Sequence, residues 1–389
     1  MRVAFNASFL QEPHTGTGRY LYNLLAALGR VDGVNEYVVL TPHPLAPEAR
    51  PETPSTFKWE TVPVGGPVAR SQRIEKVAWE QRTFPHAIKR INAQLAHIPH
   101  FAPMWRSHGI PQIVTIHDVI NLRLPEYRAG TTARAYTTLV ANAAKHATAV
   151  IAVSEHSRRD IIELLGIPEE RIYVIREAPA TTYRRITDPE RINAVRAKYG
   201  LGERFVLTTG IDVRKNVTTL IGAFAAVYHE LGESDLQLFV IGDPKRLGSS
   251  PLFPDWRPLT TTFDIADQVV CAPVDEEDMA AIYSAASCFA FVSLYEGFGL
   301  TPLEAMACGA PVVCSDRTSL PEVVGSAGIL VNPQDADRIA DAIQRVLASP
   351  DQADDLRARG LAHSKRFNWD TVAAETSALY AEITGTKRD

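Results

Sequence analysis

Short apolar runs alternate with longer stretches of helical periodicity along almost the whole chain. In the first half the pattern predicts a strand over Arg2 to Phe9, a helix over Thr17 to Arg30 and a strand over Tyr37 to Thr41, then a proline-rich loop to about Pro54. It continues with a strand near Phe57 to Val62, a helix from about Ser71 to Ile91, and strands at Leu95 to Ile98 and Gln112 to Ile116. A helix over Thr132 to Lys145, the strand Ala149 to Val153, a helix after Ser154 and the strand Ile172 to Ile175 complete the series. Regular alternation of this kind implies a parallel sheet covered by helices on both faces.

After a polar stretch the pattern starts again at Phe205 to Gly210. A helix over Val217 to Leu231, strands at Leu236 to Ile241 and Val269 to Ala272, and a helix over Glu276 to Ala286 follow. Then come the strand Cys288 to Val292, a helix over Thr301 to Cys308, strands at Pro311 to Cys314 and Gly328 to Val331, a helix over Ala336 to Leu347 and a helical region from Asp351 to about Ile383. The expected fold class is therefore α/β, with two tandem Rossmann-like, doubly wound parallel-sheet domains facing a cleft. The expected boundaries are residues 1–180 for the first domain, 181–203 for a linker, 204–365 for the second domain and 366–389 for a C-terminal helix packing back towards the first. The length of 389 residues supports two cores, since a single core rarely grows beyond about 250–300 residues.

In open α/β sheets ligands bind beyond the carboxyl ends of the strands, so the residues that follow each strand carry the candidate chemistry. After the first strand, His14-Thr-Gly16-Thr-Gly18-Arg19 is a glycine-rich loop opening a helix; it suits close approach of a phosphate, or simply a tight turn. After Gln112 to Ile116 stand His117 and Asp118. A buried imidazole satisfied by backbone is the commoner fate of such a residue, and donation to a sugar hydroxyl is the functional reading. Ser154, with Ser157 three residues on, fits a helix N-cap. After the strand ending at Gly210 come Arg214, Lys215 and Asn216. Cations at a helix start oppose the dipole, so an anionic ligand explains them better than bare solvent. The most informative segment is Ser293 to Gly309, where a buried strand enters a helix through Glu296-Gly297-Phe298-Gly299-Leu300 and a second carboxylate, Glu304, lies in the first turns of that helix.

Composition narrows the class. With 46% hydrophobic and 22% charged residues and a formal net charge of −5, the chain has no global electrostatic attraction for nucleic acid. The apolar run at the N-terminus is too short for a signal peptide and no run approaches the length of a spanning helix, so a cytoplasmic protein is expected. The four cysteines, Cys271, Cys288, Cys308 and Cys314, lack paired metal-ligand spacing and read as packed thiols, and no metal site is expected. Asp335-Ala-Asp337 sits at a helix start, where capping explains it better than metal binding. The Arg70 to Ile91 segment joins six basic residues to an approximate apolar stripe of Ile74, Val77, Ala78, Phe84, Ile88 and Ile91. It reads as an amphipathic surface helix, or as a face for peripheral contact with anionic lipid at the inner side of the cell membrane.

In order along the chain, Gly16 and Gly18, His117-Asp118, Ser154, Gly210-x-x-x-Arg214-Lys215-Asn216 and Glu296-Gly-Phe-Gly with Glu304 resemble the family 4 glycosyltransferases of GT-B architecture, and within them the bacterial mannosyltransferase-type enzymes. The two glutamates eight positions apart are the most specific part, followed by Arg214-Lys215-Asn216. Thr301 stands where many members have Pro, and Gly242-Asp243-Pro244 lacks a second glycine common in the family. The resemblance implies retaining, metal-independent transfer of a hexose from a nucleotide diphosphate sugar, with GDP-mannose favoured, to a glycan or lipid-linked acceptor in polysaccharide or glycolipid assembly. It would place Arg214 and Lys215 on the diphosphate with Gly16 and Gly18 in backbone contact, and Glu304 on the ribose. Glu296 with Gly297 and Phe298 would hold the hexose, and His117 would touch that sugar near the reacting carbon. Ser154, Gly299 and Leu300 complete the implied donor set. His117, Glu296, Arg214 and Lys215 are the implied catalytic group. The alternatives are a UDP-sugar transferase or epimerase of the same fold, a non-catalytic nucleotide-sugar binding protein, and a nicotinamide dehydrogenase. The missing third glycine of a dinucleotide fingerprint argues against the last.

Overall fold

The computed structural model describes residues 1–65, 72–106, 109–128, 130–232 and 235–385, and among them the chain forms two compact units. One comprises Met1–Glu177 with Asn368–Asp389, the other Ala178–Phe367.

The first unit holds a seven-stranded sheet: β1 (Arg2–Asn6), β2 (Glu36–Thr41), β3 (Phe57–Thr61), β4 (Leu95–Ile98), β5 (Gln112–Ile116), β6 (Ala149–Ala152) and β7 (Ile172–Val174). The order is β3-β2-β1-β4-β5-β6-β7 and every pairing is parallel. Strand order reverses between β1 and β4, which makes that pair the switch point of the sheet. β4, β5 and β6 are buried at every position, which explains why they appear as unbroken apolar runs with little alternation.

β1 is shorter than its apolar pattern predicts, because Ser8–Gln11 winds into a 3₁₀ turn that leads into helix Gly16–Val31. Thr15 caps that helix, its hydroxyl accepting from the Gly18 N–H at 3.1 Å. Helix Trp369–Thr384 belongs to this unit and lies against Gly16–Val31. It is fastened by polar groups: Ser377 donates to Asp32, Arg30 pairs with Asp370 at 2.6 Å, and Tyr380 meets His97. Burial opposes ionisation of Asp32, but hydrogen bonds from Ser377, Tyr37 and Asn35 hold its carboxyl well below the usual range.

The second unit holds β8 (Phe205–Thr209), β9 (Gln237–Ile241), β10 (Val269–Ala272), β11 (Cys288–Phe291), β12 (Val312–Ser315) and β13 (Ile329–Val331). The order is β10-β9-β8-β11-β12-β13, again all parallel, with the switch point between β8 and β11. Apolar cores pack on the sheet, one containing Phe224, Ile339 and Ile343 and the other Phe289, Met306 and Leu320. Each such fully buried side chain contributes about 1.5–3 kcal/mol.

Two elements depart from the sequence pattern. Within residues 181–203 the chain forms helix Pro189–Tyr199, in which Val195 alone is buried. Ile192 and Tyr199 join Val195 in packing on the core of the second unit, and charge adds to this, since Arg191 and Lys198 both reach Asp278, at 2.5 and 2.6 Å. The helical region after Asp351 is two helices, Pro350–Ser364 and Trp369–Thr384, because Asn368 starts the second by accepting from the Thr371 N–H at 2.8 Å.

Candidate functional site

The switch point of the second sheet brings the adjacent Arg214 and Lys215 together with Glu296, 82 and 81 positions further along the chain. The loop after β8 begins at Gly210, whose φ of +83° suits glycine. A Cβ there would stand 2.8 Å from Lys215 Cγ, so the bare glycine makes room for the lysine stem. Lys215 is buried, its ammonium 2.8 Å from Glu296 Oε1 and 4.4 Å above the Phe291 ring. Arg214 reaches Glu296 Oε2 from one end of its guanidinium and Asp212 Oδ1, at 3.1 Å, from Nε. Asn216 follows at φ +57°; its amide donates to the carbonyls of Val292, at 3.3 Å, and Pro333, at 2.6 Å, tying the start of helix Val217–Leu231 to the end of β11.

Glu296 is held from every side. Ser293 donates to Oε1 at 2.8 Å, Thr318 Oγ1 accepts from the Glu296 N–H at 3.1 Å, and Ser319 donates to its carbonyl at 2.9 Å. Thr318 is itself at φ +57°, a conformation that costs a β-branched residue about 1–3 kcal/mol and clusters at functional sites. Burial pushes the Glu296 carboxyl up, but the Arg214 and Lys215 charges and the hydrogen bonds of Lys215 and Ser293 outweigh it and bring it down to about 2. Burial and then the Arg214 charge lower the Lys215 ammonium, with Glu296 opposing them. The charges of Arg214 and Lys215 are thus matched by Glu296 and Asp212.

From Glu296 the chain runs through Gly297, the buried Phe298 and Gly299 into helix Leu300–Ala307. Gly299 has φ +118°, and a Cβ there would meet Leu320 at 2.8 Å, so this turn accepts no side chain. Glu304, in the second turn of the helix, is 4% exposed. Phe298 packs edge-on against Phe367.

The remaining sequence candidates lie in the first unit. Gly16 is exposed at the helix start. Gly18 is buried, and a Cβ there would stand 2.3 Å from the Glu12 carbonyl oxygen, so the close approach it permits is to its own loop. Ser154 is the N-cap of helix Glu155–Leu165, accepting from the Ser157 N–H at 2.9 Å, and the Ser157 hydroxyl donates to the His117 carbonyl at 3.1 Å. Both ring nitrogens of His117 face pure acceptors: Nδ1 lies 2.6 Å from Glu177 Oε1 and Nε2 3.1 Å from the Pro99 carbonyl oxygen. Satisfying both requires the imidazolium form. Burial pulls it down, but the hydrogen bond and charge of Glu177 raise His117 above its ordinary value.

Asp212, Ser293, Thr318, Ser319 and Glu177 are site residues that the sequence reading missed. Ser293 and the Asp316 to Ser319 cluster do carry a signal, since each follows directly on a strand end; Glu177 carries none. Asp335 caps helix Ala336–Ala348, accepting from the Arg338 N–H at 3.0 Å. Among the described residues there is no group of three or more His, Cys, Asp or Glu arranged to hold a metal ion, and no helix long and apolar enough to cross a membrane. Of the Arg70 to Ile91 segment, residues 70 and 71 lie outside the described residues. Phe84 and Ile88 are buried in the core of the first unit, and Arg90 pairs with Glu60, which leaves Ile74 as the exposed apolar residue of the stripe.

Comparison with known proteins gives a consistent result. The profile described as Glycosyltransferase Family 4 matches residues 14–178, and that described as Glycosyl transferases group 1 matches residues 203–349. O-antigen chain mannosyltransferase B of Escherichia coli is 31% identical over 308 residues, covering 76% of each chain. Among solved structures, sucrose-phosphate synthase from Thermosynechococcus elongatus superposes with a TM-score of 0.75 at 24% identity over the full length of both chains. Anabaena Alr3699/HepE in complex with UDP and glucose superposes with a TM-score of 0.71 at 18% identity, covering 98% of this chain and 99% of that one.

Proposed function

Because the chain belongs to glycosyltransferase family 4 and has the GT-B fold, we propose that it transfers mannose from GDP-mannose to a hydroxyl of a glycan or lipid-linked acceptor, with retention at the sugar carbon and without a metal. The observation that carries this reading is the Arg214–Lys215–Glu296 cluster at the switch point of the second sheet. In the reaction the bond between the anomeric carbon and the phosphate oxygen breaks, and the electron pair leaves with the diphosphate. Arg214 and Lys215 stabilise that charge as it develops, the task a metal performs elsewhere, in a buried site where such stabilisation is strongest. The acceptor oxygen bonds to the anomeric carbon on the face the phosphate leaves, and its proton passes to a phosphate oxygen. No covalent intermediate is required, and Glu296, engaged by two cations and a serine, is poorly suited to form one.

In this scheme Glu296 has two roles. Without donor it is the internal counterion of Arg214 and Lys215; with donor it cedes them to the diphosphate and accepts from the hydroxyls of the hexose. Gly297, Phe298, Gly299 and Leu300 provide the backbone beside the sugar, and Glu304 takes the ribose hydroxyls. Mannose is favoured by the mannosyltransferase of E. coli, and the UDP and glucose bound by Alr3699/HepE define the competing reading. A thermal-shift panel of GDP-mannose, UDP-glucose, ADP-glucose and a dTDP-hexose separates them, since a donor bound at 100 times its Kd stabilises by about 2.7 kcal/mol. GDP-mannose should raise the melting temperature most. A shift with UDP-glucose alone would replace the mannose assignment, and no shift with any nucleotide sugar would remove the donor site.

A further inference from the structure

Four non-glycine residues among those described have positive φ: Asn92, Asn216, Asp264 and Thr318, between +52° and +57°. Asparagine and aspartate adopt this region readily, whereas a β-branched side chain is strained in it. Glycine would take the Thr318 turn freely, so a threonine kept there calls for a task of its side chain. The turn lies directly after β12, where the Ser315 hydroxyl accepts from the Arg317 N–H at 3.2 Å and Ser319 is fully buried.

That task is visible at Glu296. The Thr318 hydroxyl accepts from the Glu296 N–H at 3.1 Å, and the Ser319 hydroxyl donates to the Glu296 carbonyl at 2.9 Å. Both main-chain groups of Glu296 are thus taken by hydroxyls of one turn. The segment just before it is fastened to a different loop, since the Leu294 N–H donates to the Arg214 carbonyl at 2.7 Å and the Asn216 amide to the Val292 carbonyl at 3.3 Å. The segment just after it, Gly297-Phe298-Gly299, contains two glycines and has little backbone preference of its own. Removing the Thr318 hydroxyl would therefore take an acceptor from the Glu296 N–H at the point where the chain becomes permissive.

We propose that Thr318 is a positioning residue whose hydroxyl fixes the main chain of Glu296 as a pivot, so that the carboxylate passes from Arg214 and Lys215 to the donor hexose by side-chain rotation alone. The proposal rests on the donor reading given above and deepens it. Rotamer changes take picoseconds to nanoseconds, whereas a loop that has to reorganise moves on nanoseconds to microseconds. A fixed pivot also presents the carboxylate to one set of hydroxyls, and a misplacement of about 1 Å in such a contact costs about 10²-fold in rate. The strain at Thr318 is kept because glycine, which would relieve it, has no hydroxyl.

Two variants separate the hydroxyl from the strain. Thr318→Gly removes both, and Thr318→Ser returns the hydroxyl without the branched methyl. Amide hydrogen exchange of the full chain without ligand, followed by NMR, should show the Glu296 N–H exchanging about tenfold or more faster in Thr318→Gly, with slow exchange regained in Thr318→Ser. The melting temperature of Thr318→Gly should stay near the wild-type value, since relief of strain offsets the lost hydrogen bond. With GDP-mannose, kcat should fall by about 10- to 100-fold in Thr318→Gly and recover in Thr318→Ser, while calorimetry finds GDP bound as tightly as by wild type. Wild-type kcat in Thr318→Gly, or a Thr318→Ser variant as impaired as Thr318→Gly, would overturn the proposal. So would a Thr318→Gly protein in which melting temperature, GDP affinity and kcat fall together, because the threonine would then only hold the fold. A wild-type protein that transfers from no nucleotide sugar removes the donor reading instead. The exchange result then decides by itself: protection lost and regained supports the fixed main chain, and unchanged protection overturns it.

Discussion

Replacing Glu296 with Gln keeps the shape of the side chain and removes its charge, leaving Arg214 and Lys215 with Asp212 alone as counterion. The lowering of the carboxyl from 4.5 to about 2 corresponds to about 3 kcal/mol of native-state stabilisation, at about 1.36 kcal/mol per pKa unit. Removing one partner of a buried ion pair costs about 3–5 kcal/mol, so the two routes agree. Because the folded pKa is depressed, this stability is complete above pH 4.5 and is lost as the pH falls through 2. The variant should melt below wild type at pH 7, by about 2–4 °C per kcal/mol for a domain of this size, and the gap should narrow as the pH falls below 4.5. Turnover should fall by about 10²–10³, the usual effect of losing one electrostatic contact to a transition state. GDP alone should bind at least as tightly as to wild type, because its diphosphate no longer competes with an internal carboxylate. Calorimetric titration of GDP and initial rates with GDP-mannose check both. Unchanged turnover, or GDP binding that weakens with the loss of Glu296, would refute the proposed exchange of partners.

Three other outcomes follow from the same geometry. Lys215→Met should keep the apolar stem under Gly210 while lowering kcat by about 10²–10³; a rise in donor KM at unchanged kcat would mean that the lysine binds donor without assisting departure. Gly210→Ala places a Cβ against the Lys215 stem at φ +83°, and should cost about 1–3 kcal/mol and most of the activity, as read by melting temperature and rate; a neutral result would show that the lysine is not held by this turn. His117 should carry protons on both nitrogens at pH 7 in ¹⁵N NMR, and Glu177→Gln should lower its pKa. Since the folded pKa is raised, the stability it contributes is complete below 6.5 and fades as the pH rises through the folded value, so a neutral His117 at pH 7 would contradict the assigned charge.

The central strands were legible because they are buried on both faces, which makes them uninterrupted apolar runs, and the helix Val217–Leu231 was legible from its periodicity. Helix Pro189–Tyr199 was not, because Ile192, Val195 and Tyr199 make only a thin stripe in a polar stretch and its ties to Asp278 reach across more than 75 residues. In the site, the strand-end rule singled out Arg214, Lys215 and Glu296 separately. That they would pair with one another is a consequence of β8 and β11 being neighbours, which local pattern does not encode. Thr318 was invisible for a different reason: threonine is a poor predictor of positive φ, and the hydrogen bond its hydroxyl accepts from the Glu296 N–H spans 22 residues. Ser154 was legible as a cap because capping is local in sequence.

The most direct measurement is ¹H NMR of the product formed from GDP-α-mannose and a mannoside acceptor. A new α-linked mannose is expected, with its formation lost in Glu296→Gln and Lys215→Met. A β-linked product would contradict retention, and transfer that proceeds at the wild-type rate in both variants would contradict the role given to the Arg214–Lys215–Glu296 cluster.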